Sequence, residues 1–102
     1  MSEQKLVVGK NATSDITDIC EWYSYQQFGL EKRFLTELES FYSKMLKNPE
    51  RYRFHLGSGE IRKVRLKMFP YHVFYSVLNQ SIEIVGVIHV SRSEEYVRER
   101  LK

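Results

Sequence analysis

Cysteine is almost absent: Cys20 is the only one in 102 residues, so no intrachain disulfide can form. Three histidines, His55, His72 and His89, are scattered, and no Cys/His spacing of a zinc ligand set occurs. No metal site and no cofactor are therefore expected. Glycine and proline are also sparse, with five and two residues. The chain has no glycine-rich phosphate loop, no Ser-x-x-Lys pair and no nucleophile elbow. Gly57-Ser58-Gly59 reads only as a flexible hairpin or loop. Paired carboxylates with a supporting cleft are missing too, which disfavours a metal-dependent nuclease. No apolar run approaches membrane-spanning length, and the first residues lack the apolar stretch of a signal peptide. A cytoplasmic location with no membrane partner is expected.

What is present fits one domain over 1–102. Apolar residues are 42% of the chain and aromatics 14%, enough for a thin core. Charge is unevenly spread. Residues 1–50 carry six basic and eight acidic side chains, whereas 51–102 carry ten and five. A positive field concentrated in one region attracts phosphate backbones, acidic protein segments or anionic lipid, or simply keeps a face solvated.

The hydrophobic period marks the elements. A short strand is predicted at Lys5–Val8. A helix follows from Ala12 to Gln27, capped by Asn11, with Ile16, Ile19, Cys20 and Tyr23 on one stripe. Cys20 is read as a buried small hydrophobe. Gly29 breaks the pattern, and a second helix spans Leu30–Lys47 until Asn48-Pro49 stops it. The period then changes to two. Strands are predicted at Ile61–Lys67, Tyr71–Leu78 and Ile82–Val90, the last the most buried. The tail, 93–102, is expected as a short or mobile helix. The fold class is α+β in the order β-α-α-β-β-β, a helical hairpin on a small, mainly antiparallel twisted sheet.

Alternation sends Lys63, Arg65 and Lys67 to one side of their strand, where they could follow a phosphate backbone, receive an acidic peptide or face solvent. Arg62 adds to this basic region. Arg92, after the buried strand, suits a two-pronged phosphate clamp or an ion pair with Glu94, Glu95 or the acidic first half. Metal-free RNA cleavage needs a base, an acid and positive charge for the phosphorane. His72 and Tyr96 are the candidates for moving protons. His72 shares a face with Phe74, so burial is an equal reading, and His89 reads as a core or edge histidine.

As a whole, the chain resembles the RelE/ParE superfamily of toxins from type II toxin–antitoxin systems. The resemblance runs from about Asn11 to Tyr96. It includes Asp18-Ile19-Cys20-Glu21-Trp22-Tyr23, Phe34-Leu35-x-Glu37-Leu38, Asn48-Pro49, Arg65-Leu66, Phe69-Pro70-Tyr71, Val73-Phe74-Tyr75 and Val87-Ile88-His89-Val90-x-Arg92. Against the RelE-like branch of ribosome-dependent mRNA endonucleases, Lys63, Arg65 and Arg92 match basic positions. His72 stands where that branch usually has arginine, and Arg98 where it has a catalytic tyrosine, with Tyr96 two residues away. The Phe-Pro-Tyr step and the His89-x-x-Arg92 ending look more like the ParE branch, which inhibits DNA gyrase without a ribonuclease site.

The resemblance implies a toxin neutralised by a cognate antitoxin, as a homodimer or a toxin–antitoxin hetero-oligomer, whose target is DNA gyrase or the ribosome and its mRNA. The first reading is a ParE-like gyrase inhibitor. The alternatives are a metal-independent endoribonuclease using Lys63, Arg65, Arg92, His72 and Tyr96, and a non-toxic basic binding domain. Partner or phosphate contacts are expected from Arg62, Lys63, Arg65, Lys67, Arg92 and Arg98.

Overall fold

The computed structural model describes residues 5–55 and 59–102. Gly57 and Ser58, read above as part of a flexible hairpin or loop, lie outside the described residues. The elements run β1 (Lys5–Val8), α1 (Lys10–Gln26), α2 (Leu30–Lys47), β2 (Ile61–Arg65), β3 (Tyr71–Leu78), β4 (Ser81–His89) and α3 (Glu94–Arg100). The sheet order is β1-β4-β3-β2. β1 pairs with β4 in parallel, and the other two pairings are antiparallel. A fragment of further edge pairing was not anticipated. The amide of His55 donates to the Ile61 carbonyl and that of Lys63 to the Arg53 carbonyl, so residues 53–55 lie along the outer edge of β2.

Two sequence expectations need correction. Asn11 does not cap the first helix; Gly9 does, in an extended conformation. The chain turns there at once, because the Gly9 amide still bonds the Ile84 carbonyl of β4 while its own carbonyl accepts from Thr13. A Cβ at this position would lie 2.7 Å from Glu83 Oε2 and 3.0 Å from the Ile84 carbonyl oxygen, so a larger residue would have to displace the Glu83 side chain and push the β4 backbone slightly away. β2 ends at Arg65 rather than Lys67. Both oxygens of the Glu37 carboxylate accept from the Met68 amide at 3.0 Å, drawing the chain after β2 towards α2. The tail takes the first of its two expected forms, a short helix whose Ser93 hydroxyl caps it by accepting from the Tyr96 amide.

α2 starts as expected. Gly29 supplies a left-handed turn (φ 84°) that reverses the chain between the two helices. The hairpin packs one face of the sheet, with Phe34, Leu38, Phe41 and Met45 meeting Val73, Tyr75, Ile82 and Ile84. Tyr23, Phe34, Phe69 and Tyr71 pack ring on ring, with centroids 5.2–6.3 Å apart. Cys20 is only partly buried against this core, and burial, with the Glu31 charge, raises its thiol pKa.

α3 covers part of the other sheet face, where Val97 packs on Phe74 and Ile88. Asp15 of α1 fastens it. One carboxylate oxygen accepts from the Val87 amide at 3.0 Å, and the other pairs with the Arg100 guanidinium, which also reaches the Asn11 carbonyl.

Candidate functional site

Lys63 lies opposite Phe74, and Arg65 opposite His72, in the β2–β3 register. Directly paired residues share a sheet face, here the one covered by α3. The ring of His55 sits edge-on 5.3 Å from Phe74, and that of His72 lies 6.1 Å from the same ring. Phe74 thus stands between two imidazoles. The Nδ1 atom of His55 is buried and has no hydrogen-bond partner among the described residues.

Burial holds the His55 pKa below its ordinary value, reinforced by Lys63 and Arg98 and opposed by Glu94. Burial likewise lowers His72, helped by Lys63, Arg65 and His55. Both rings are accordingly neutral near pH 7, within a cationic border. Such a surface can accept an anion, and a neutral imidazole can take or relay a proton. Sequence reasoning missed His55. The Arg53-Phe54-His55 alternation was the available signal for an edge strand placing it beside Phe74.

Arg92 and Tyr96 belong elsewhere. The Arg92 guanidinium lies 4.4 Å over the Tyr96 ring, and both line a cavity of about 410 Å³ between α1 and the end of β4. Asp15, Asp18 and Trp22 form its α1 wall, while Lys63, Arg65 and His72 take no part in it. Arg92 makes no ion pair among the described residues. His89 at the cavity margin is structural, its ring 5.2 Å from that of Tyr71 and its Nδ1 accepting from the Ser91 amide.

Arg62 points to the hairpin side of the sheet, as strand alternation requires. It donates to the carbonyls of Glu50 and Tyr52 and stacks 4.0 Å over Phe54. Its work is to hold the segment before β2. Lys67 does not continue the Lys63–Arg65 row, because the strand has already ended, and it lies in the wall of a groove beside α2. Arg98 on α3 contributes its charge to the His55 surroundings.

A family model described as the ParE toxin of type II toxin–antitoxin systems, parDE, matches residues 6–94. The chain belongs to this family, within the RelE/ParE superfamily. Solved structures agree on the α+β fold. A chain of the chromosomal ParDE system from P. aeruginosa superposes with a TM-score of 0.73 at 16% identity, covering 86% of this chain and 97% of that one. The isolated E. coli RelE toxin gives 0.62 at 16%, covering 94% of each chain. In the archaeal RelE–RelB complex from Pyrococcus horikoshii the values are 0.52 and 18%, with coverages of 88% and 98%. A sequence search of curated proteins finds no match.

In this ParE-family chain the five residues of the endonuclease expectation divide into two groups. Lys63, Arg65 and His72 share the β2–β3 surface, and Arg92 and Tyr96 share the α1-side cavity.

Proposed function

We propose that this chain is the toxin of a type II toxin–antitoxin pair, a ParE-like inhibitor of DNA gyrase that a cognate antitoxin neutralises. Its action is binding rather than RNA chemistry. The observation that carries this reading is the location of Arg92, stacked on Tyr96 in a cavity walled by α1 carboxylates. A phosphorane needs its cations gathered around one phosphate, in line with the acid and base. The family match over residues 6–94 points the same way.

The test is supercoiling by purified gyrase with excess protein, together with message integrity in cells expressing it. Inhibited supercoiling with accumulated gyrase–DNA breaks and intact mRNA is expected, and co-expression of a cognate antitoxin should relieve growth arrest. Normal supercoiling with fragmented mRNA would refute the proposal.

A second reading has one specific observation in its favour. Neutral His55 and His72 flank Phe74 beside Lys63, a pairing of proton-transfer groups with cations that suits metal-independent cleavage of mRNA. On that reading, message cleavage disappears in His72→Gln, whereas gyrase inhibition survives the same substitution.

A further inference from the structure

The two edges of the sheet are treated differently. Residues 53–55 run along the outer side of β2, whereas no described residue bonds the outer side of β1. The amides of Lys5 and Gly9 donate to the carbonyls of Gln80 and Ile84, on the β4 side. Alternation along the strand therefore turns the N–H and C=O groups of Leu6 and Val8 outward. Natural sheet edges are usually blunted by a charge, a proline or a bulge. Leu6-Val7-Val8 has none of these, and Val7 and Val8 are 38% and 37% exposed.

This edge is complementary to itself. Laid antiparallel about a two-fold axis through Val7, Leu6 of one copy faces Val8 of the other, and each such pair exchanges both its backbone hydrogen bonds. Lys5 then stands opposite Gly9 of the other copy. Beside Gly9 lies the Glu83 carboxylate, with Oε2 2.7 Å from where a Cβ would be. Glu83 shares the face of Val7 in the β1–β4 register, and Lys5, two residues from Val7, projects to that face as well. Neither Lys5 nor Glu83 makes an ion pair among the described residues. The pairing that satisfies the backbone thus also brings each Lys5 to the other copy's Glu83.

The helices leave room for it. α1 packs over β4 and not over β1. Across the seam the two β4 strands lie three strand spacings apart, about 14 Å. Packed helices need only about 8–10 Å. On the opposite face a cavity of about 300 Å³ beside Glu83 gives the incoming Lys5 side chain space. Of the cations in its walls, Arg100 and Lys102 are answered by Asp15 and Glu99, which leaves Lys10 to share Glu83.

We infer that β1 is a self-association edge, pairing antiparallel with β1 of a second copy so that one sheet runs through the dimer. The seam is four residues long on each side, short of the roughly 1,000 Å² of a stable interface, so the dimer is weak and forms at high protein concentration. Nothing in this depends on which target the toxin meets.

Sedimentation of the full chain from about 10 µM to 1 mM should show a reversible monomer–dimer equilibrium. Disulfide crosslinking in a Cys20→Ser background reads the register. Val7→Cys sits on the two-fold axis in a non-hydrogen-bonded pair, with Cα atoms about 4.5 Å apart, inside disulfide reach. Val8→Cys meets its counterpart only diagonally, beyond the reach of about 7 Å, and should crosslink at least about tenfold more slowly. Lys5→Glu and Glu83→Lys should each weaken dimerisation about fivefold, and the double variant should restore it.

A chain that stays monomeric at about 1 mM would overturn the inference, whatever the folding of any variant. So would equal crosslinking of the two cysteine variants, or a charge-swapped double variant no better than either single one. Protection of the Leu6 and Val8 amides that appears only when a cognate antitoxin is added would overturn it too, because the edge would then belong to that partner. Far-UV circular dichroism checks that each variant is folded before it is compared.

Discussion

Replacing Asp15 by Ala should loosen the fold far more than its place on a helix surface suggests. Its carboxylate joins three elements: α1, which carries it; β4, through the Val87 amide at 3.0 Å; and α3, through Arg100. Its side chain is 14% exposed and that of Arg100 22%, so both are largely withdrawn from water. A hydrogen bond to a charged group contributes about 1.5–3 kcal/mol, and a buried donor left without a partner costs about 1–3 kcal/mol. These terms overlap, giving about 3 kcal/mol for Asp15→Ala.

In a domain of this size each kcal/mol shifts the melting temperature by roughly 4–8 °C, so a fall of about 15 °C is expected. Asp15→Asn retains an acceptor for the Val87 amide and should lose markedly less. Urea unfolding gives the free energies, and amide hydrogen exchange locates the effect. Val87 and Val97 should lose protection in Asp15→Ala, because α3 is released together with its contact on Phe74. A variant within about 0.5 kcal/mol of the parent, the level of an ordinary surface change, would refute this reasoning. Equal losses in Asp15→Ala and Arg100→Ala would show that the ion pair, not the bond to β4, carries the effect.

Three further outcomes follow from the same geometry. Gly9→Ala should cost about 1–3 kcal/mol, since its Cβ meets the Ile84 backbone and the Glu83 carboxylate; an unchanged urea midpoint would show that the β1–α1 turn can shift freely. His55 and His72 have depressed pKa values when folded, so the unfolded chain binds more protons and stability should fall as pH drops below about 6.5. The double variant His55→Gln/His72→Gln should show a shallower loss in melts over that range, and an identical slope would contradict the assignment. Arg62→Met removes the donor to the Glu50 and Tyr52 carbonyls, and faster hydrogen exchange at His55 and Lys63 should report release of the edge segment.

The long elements were legible because their burial is periodic. The stripe of α2 and the apolar run of β4 predict their own boundaries to within a residue, since each buries one continuous surface. The errors fall where a distant residue decides. Nothing local to Lys67 says that Glu37, thirty residues earlier, will draw the following amide towards α2 and end the strand. Asn11 is a good capping residue by type, but pairing of the Gly9 amide with Ile84 starts the helix earlier. Alternation alone separates Arg62 from Lys63, but that Arg62 would bind backbone carbonyls depended on where residues 50–54 return. His55 carried even less signal, because its importance comes from Phe74, reached only through edge pairing.

The basic second half is therefore not one field awaiting one partner. Arg62 and Arg100 are spent on backbone carbonyls and Asp15, inside the fold. Arg92 is stacked on Tyr96, while Lys63 and Arg98 border two neutral imidazoles. Lys67, with Arg51 and Lys44 from the helical side, rims an apolar groove. These environments fail differently when a charge is removed. Loss of Arg62 or Arg100 reduces every activity because it reduces folded protein, whereas loss of exposed Lys44 or Lys67 leaves the melting temperature almost unchanged. A scan that scores only toxicity would rank Arg62 and Arg100 as the functional centre. Stability measured on each variant removes them from the comparison, and only the cations that survive this filter can identify the surface that meets the target.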